Sequence, residues 1–186
     1  MHECLTRVWF SWEFPGSHQG NANNTVSGTD TANFLSFLQE LRANPTGANI
    51  TISAAVLTTP FDNASGQPST NLSGFAAVFD YIAVMDYNVW GSWDTVVGPN
   101  APLNDSCVSS SYQKGSAVSA VNAWTNAGIP ANQIVLAVPS SGQAYIVNSS
   151  DAFVSGTKTL AAYPNFDQNA TTELAGTVDT TYDIGA

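Results

Sequence analysis

Phe10-Ser11-Trp12-Glu13-Phe14-Pro15-Gly16 places one carboxylate near the end of an apolar, aromatic run that Pro15 and Gly16 then stop. Such a run reads as a strand that delivers an acid to a rim. Residues two apart in a strand share a face, so Trp9, Ser11 and Glu13 point one way and Phe10, Trp12 and Phe14 the other. Glu13 therefore has Ser11 as its face neighbour, no cation beside it in sequence, and Trp and Phe around it. Desolvation there favours the protonated carboxyl, the state a general acid needs. A single acid at a strand end also simply reaches solvent, so its meaning depends on what stands elsewhere in the chain.

A second apolar run, Phe79-Asp80-Tyr81-Ile82-Ala83-Val84-Met85-Asp86-Tyr87-Asn88, likewise ends in polar and aromatic groups and continues as Val89-Trp90-Gly91-Ser92-Trp93. Two further strands are read at Ile50 to Val56 and Gln133 to Pro139. Between the strands lie stretches of helical period. Phe34, Leu38 and Leu41, with Leu35 beside them, make one stripe, and Thr29 or Asp30 is placed to cap its start. Ala117, Ala120, Val121 and Trp124 make another, with Gly128 and Pro130 as the stop. Both stripes read as core packing, Trp124 included. Short strands alternating with helices predict βα units and a parallel sheet.

Together the runs around Glu13 and Met85 resemble the fourth and sixth strands of family 18 glycoside hydrolases, the fungal-type, class V-like chitinases and their relatives. Those strands carry D-x-x-D-x-D-x-E and M-x-Y-D signatures. Asp30 to Arg42 is similar to the helix after the acid-bearing strand, Ile50 to Val56 to the fifth strand, Val97 to Leu103 to the loop after the sixth, and Gln133 to Pro139 to the seventh strand. The likeness spans about Phe10 to Tyr145, and it implies an incomplete (β/α)8 TIM barrel covering strands four to seven. At 186 residues the chain is short for a whole barrel, which takes roughly 250. The expected organisation is a segment 1–9 outside the likeness, a partial catalytic barrel at 10–145, and a polar segment 146–186 that begins an insertion subdomain. The family's earlier acidic positions fall on Thr6, Trp9 and Ser11. An indole at position 9 is expected to overfill the interior face, which suggests a different origin for residues 1–9.

The resemblance implies a chemistry for each matching residue. Glu13 matches the general acid that protonates the glycosidic oxygen. The substrate's own N-acetyl carbonyl then attacks the anomeric carbon, with net retention, so no second carboxylate acts as nucleophile. Tyr87 matches the tyrosine that holds the acetamide, and Met85 the floor beside it. Asn88 stands where the motif has Asp, keeping shape and losing charge. Ser11 stands where the family has the Asp next to the acid; a hydroxyl hydrogen-bonds but cannot carry negative charge beside a developing oxazolinium. Trp90 and Trp93 lie in the loop after the sixth strand, either as exposed indoles that stack on sugar faces or packed over the mouth. After the seventh strand the family often has a tyrosine and a basic residue where this chain has Ser141 and Gln143, so those contacts do not carry over.

The net charge is −10, with Arg7, Arg42, Lys114 and Lys158 as the formal cations, which disfavours nucleic acid and anionic membrane as partners. The N-x-S/T pattern recurs at Asn23, Asn49, Asn63, Asn71, Asn104, Asn148 and Asn169, and suggests a glycosylated, extracellular protein, although residues 1–11 lack signal-peptide character. Asn63 and Asn71 are the strongest of these acceptors and Asn49 the weakest. Cys4 and Cys107 offer a weak disulfide expectation. His2 and His18 are isolated, no acidic cluster completes a ligand set, and neither metal nor cofactor is expected. The implied partner is chitin or a chitooligosaccharide, met by a monomer. Two functions follow: a chitinase with Glu13 as acid, which intact Glu13 and Tyr87 favour, or a non-catalytic chitin-binding lectin of the same fold, which Ser11 and Asn88 favour. An isolated half barrel with open strand edges would be inactive and prone to aggregate.

Overall fold

The computed structural model of the chain describes residues 6–19 and 25–168. His2, Cys4, Asn23, Asn169 and the end of the expected insertion lie outside the described residues. The chain forms two units, Met1–Asp86 with Ala117–Ala137, and Tyr87–Ser116 with Val138–Ala186.

The first unit holds all the regular strands. In chain order its elements are β1 (Arg7–Glu13), α1 (Asp30–Ala43), β2 (Thr51–Val56), α2 (Ser73–Ala76), β3 (Tyr81–Val84), α3 (Ala117–Asn126) and β4 (Ile134–Leu136). The strands are all parallel and lie side by side in chain order, β1-β2-β3-β4. A doubly wound sheet reverses its strand order at a switch point. This sheet does not, and its winding is that of a segment of a (β/α)8 barrel.

Strand alternation decides which side chains meet the helices. Ile52, Ala54, Val56, Ile82 and Val84 join Phe34, Leu38, Phe75, Ala120 and Trp124 in one buried cluster. Phe10 and Trp12 face the same way, edge-on to Phe34 with centroids 5.6 and 5.3 Å apart. Both expected stripes are therefore core. Trp124 is fully buried, and its Nε1 donates to the Leu57 carbonyl at 2.8 Å.

The ends of the elements follow local chemistry. Thr29 occupies the cap position of α1, but its side chain makes no cap bond; instead Asp30 Oδ2 accepts from the Ser27 amide. Gly128, at φ +99°, stops α3 with paired bonds, Gly128 N to Thr125 O and Ile129 N to Trp124 O, both at 3.0 Å. This is a Schellman motif, with buried Ile129 against Trp124 as its apolar contact. At the opposite end of the sheet Arg42 donates to the carbonyls of Val78, Gly47 and Ile50 and to Asp80 Oδ2. Asp80 also takes the Ile52 amide at 2.7 Å, so one guanidinium gathers the starts of β2 and β3.

Within the four described strands Trp9 has room on its face. Its cross-strand neighbour is Ser53, whose own neighbour is Tyr81. The small residue between two large ones lets the indole lean toward Tyr81, with centroids 6.5 Å apart, and Trp9 stays 50 % exposed. β1 starts at Arg7, upstream of Phe10, and pairs regularly with β2 from Arg7↔Thr51 to Phe10↔Ala54.

The second unit is built of loops. It has a 3-10 turn at Ser110–Tyr112 and isolated bridges at Val96↔Asn165 and Phe153↔Leu160. Among the described residues no helix is long and apolar enough to cross a membrane. The described sequon residues Asn49, Asn63, Asn71, Asn104 and Asn148 are exposed, as are His18 and Cys107.

Candidate functional site

Glu13 is the last residue of β1, at the carboxyl end of the sheet, where βα enzymes carry their chemistry. Two devices aim it. The register slips between Phe10 and Glu13, so that Glu13 rather than Trp12 pairs with Val56; a bulge of this kind turns a strand and re-aims a side chain. The backbone then closes from Phe14 N to Trp12 O at 2.8 Å around Glu13 at φ +72°. That is a γ-turn of the strained sense, and left-handed backbone at a non-glycine residue costs of order 1–3 kcal/mol. A second turn follows at once, with Ser17 N bonding Phe14 O at 3.1 Å. Pro15 and Gly16, with Gly16 at φ +76°, supply the residues a type II turn requires. Gly16 lies so close to Asp62 that an added Cβ would sit 2.9 Å from its carbonyl oxygen.

Ser11 and Glu13 come together beside this turn: Ser11 Oγ donates to Glu13 Oε1 at 2.6 Å. Glu13 is half-buried and Ser11 exposed. Glu13, Pro15, Leu57, Pro60 and Asp62 help to line a cleft of about 10 Å³, room for about one water molecule. Met85 follows β3, half-buried, its amide bonded to the Val56 carbonyl at 2.8 Å.

Asp86, which the sequence reading passed over, is 8 % exposed. Its Oδ1 is buried and has no hydrogen-bond partner. Burial pushes the carboxyl above its ordinary value, and a backbone hydrogen bond partly offsets this. The signal for it was an acid in the midst of an otherwise apolar strand end.

Tyr87, Asn88, Trp90 and Trp93 belong to the second unit. Tyr87 is half-buried. Asn88 sits at φ +55°, a conformation Asn tolerates better than most residues. Its amide donates to Asn100 Oδ1 at 3.1 Å, and its own Oδ1 accepts from Gln143 Nε2 at 3.1 Å. Asn100 also donates to the Ser141 carbonyl and accepts the Val89 amide through its main chain. It thus ties the loop after β3 to the segment after β4. Neither Asn100 nor Gln143 was assigned a role from sequence, because their partners lie 12 and 55 residues away.

Of the two readings open for the indoles, Trp90 takes the packed one and Trp93 the exposed one. Trp90 is 2 % exposed. Lys114 Nζ lies 4.2 Å over its ring, Tyr163 packs at 5.4 Å, and Gly98 is pressed so close that an added Cβ would enter the indole. Lys114 is held in turn by an ion pair with buried Asp94. Trp93 is 64 % exposed, its ring lying against Gly91.

A parallel βα sheet wound in one direction, with an acid at the carboxyl end of a strand, defines a segment of a barrel enzyme fold. Residues 6–183 match the glycosyl hydrolases family 18, and the chain belongs to that family. It is 53 % identical over 158 residues to a chitinase-like effector of Moniliophthora roreri, covering 84 % of this chain and 38 % of that protein. A chitinase-like effector of Moniliophthora perniciosa is 48 % identical over 158 residues, covering 85 % and 36 %. Among solved structures, a chitinase from Rhizomucor miehei superposes with a TM-score of 0.78 at 34 % identity, over 89 % of this chain and 44 % of that one. The chain thus spans less than half the length of these relatives.

Proposed function

We propose that the chain is the middle part of a family 18 protein that recognises β-1,4-linked N-acetylglucosamine oligomers of chitin and turns them over slowly. The observation that carries this is the 2.6 Å bond from Ser11 to Glu13. A hydroxyl fills the place of the acid's carboxylate neighbour in the motif the chain resembles. It orients Glu13, but it neither exchanges the acid's proton nor offsets positive charge on an acetamide-derived intermediate. Losing one such electrostatic partner costs roughly 10²–10³ in rate. The neutral Asn88 adds a second lost charge, while Tyr87 and exposed Trp93 keep groups that hold an acetamide and stack on a pyranose. The two relatives described as chitinase-like effectors fit a protein whose recognition outlasts its turnover. In this reading residues 10–145 carry the sugar site, 146–186 begin an insertion, and the protein works outside the cell as a glycosylated monomer.

Hydrolysis with Glu13 as general acid, by the retaining, substrate-assisted route, is the second reading. It is favoured by the intact acid at the strand end, aimed by its bulge and turn.

Retention of the chain on chitin beads, with cellulose as control, tests recognition. Retention on chitin alone is expected; equal retention on both polymers, or on neither, refutes it.

A further inference from the structure

In the first unit a groove of about 280 Å³ lies between α1 and the segment that runs from Asn63 into α2, close to the roughly 300 Å³ at which small-molecule pockets begin. Half-buried Leu35 and Gly74, with exposed Ala32 and Ala64, supply wall that solvent reaches, and Leu72 and Phe75 lie behind them in the core. Asn63 and Asn71 line the same groove, and each begins an N-x-S sequence. The two amides are held alike. Asn71 Oδ1 accepts from the Ser73 amide at 3.1 Å and from its hydroxyl at 2.8 Å, and Asn63 Oδ1 from the amides of Ser65 and Gln67 at 2.8 and 3.3 Å. A main-chain amide only donates, so the oxygen of each side chain is the end held and the nitrogen the end left over. Among the described residues neither Nδ2 has a hydrogen-bond partner. At Asn49 the arrangement is reversed, for Nδ2 itself donates to the Pro45 carbonyl at 3.0 Å.

We propose that Asn71 carries an N-linked glycan whose first N-acetylglucosamine lies in this groove, against Ala32, Leu35 and Ala64. This rests on the extracellular, glycosylated reading above and is independent of chitin binding. In the attachment Nδ2 bonds to the anomeric carbon of a diphosphate-linked oligosaccharide donor. The carbon–oxygen bond breaks, the diphosphate leaves with the electron pair, and Nδ2 gives up one of its two protons. The oxygen stays free to keep its bonds to Ser73. Asn71 takes precedence over Asn63 because the residues that follow it, Leu72, Gly74 and Phe75, are themselves the groove wall. The C–H face of a pyranose suits such an apolar wall, which it withdraws from water. A ring tethered at the groove's edge is present at an effective concentration of roughly millimolar, so a weak contact is enough to seat it. A free saccharide has no such advantage.

The test uses the full chain secreted from a eukaryotic host behind a secretion signal. Glycopeptides are mapped by mass spectrometry, and release of the Asn71 glycan by a peptide-N-glycosidase is timed on the folded protein, for wild type and for Ala32→Leu. That substitution fills the groove with a good helix former at an exposed helical position. Asn71 is expected to be occupied, and its glycan to leave wild type about 3- to 10-fold more slowly than Ala32→Leu, the worth of a small apolar contact, with equal rates once both are unfolded. Equal rates in the folded proteins overturn the proposal. An unoccupied Asn71 in a chain glycosylated at other sites also overturns it and leaves the glycosylated reading intact. A chain with no occupied site overturns both.

Discussion

Replacing Ser11 with Asp places a second carboxylate where a hydroxyl now donates to Glu13 Oε1 at 2.6 Å. Two carboxylates about 3 Å apart repel by roughly 5 kcal/mol at an effective dielectric of about 20. Solvent at the exposed Ser11 position screens this to roughly 1–3 kcal/mol. The pair then holds one proton between its two members and titrates as a unit. A carboxyl whose folded pKa is raised has its full stability at low pH and loses it as pH rises through that raised value. The Ser11→Asp melting temperature is therefore expected to match wild type below about pH 4 and to fall some 2–10 °C lower near neutrality. The same shared proton supplies what a general acid needs, so turnover of chitohexaose is expected to rise roughly 10²–10³-fold, most at acidic pH. The assay is reducing-end release across pH 4–8 beside a melting series. A variant that shows the pH-dependent destabilisation but no gain in hydrolysis refutes the idea that the missing charge limits turnover.

Four other substitutions have defined outcomes. Asp86, with its carboxyl raised by burial, costs stability as pH climbs from the ordinary carboxylate range through its folded value; Asp86→Asn is expected to flatten the melting curve over pH 3–7 and to be the more stable protein at pH 7. Arg42→Met removes donors to three carbonyls and Asp80, and is expected to cost about 2–4 kcal/mol in urea unfolding. Trp90→Ala is expected to lower stability by about 3–5 kcal/mol. Trp93→Ala is expected to change stability by less than about 0.5 kcal/mol while weakening retention on chitin.

Much of the first unit was legible because local signals and tertiary packing agree. The stripe Phe34, Leu38 and Leu41 and the stripe through Ala120 and Trp124 pack into one core with the strands. Gly128 ends α3 where its lack of a Cβ allows φ +99°. Ser11 and Glu13 were matched by a period of two, and they do meet, although the slip before Glu13 breaks that period. The bulge before Glu13 was not legible, since register is set by β2 rather than by the residues of β1. Trp90 was ambiguous for a related reason. Its covering groups, Lys114 and Tyr163, lie 24 and 73 residues downstream, and only the fold brings them over the ring. Asn100 and Gln143 were hidden likewise: an amide's role depends on which partner it faces, which composition does not encode.

Recognition without efficient turnover is tested most directly by mixing the chain with chitohexaose, measuring binding by calorimetry, and then separating the recovered oligosaccharides after prolonged incubation. Saturable binding with the hexamer recovered largely intact is the expected result. Rapid cleavage that disappears in Glu13→Gln would contradict it and establish the hydrolase.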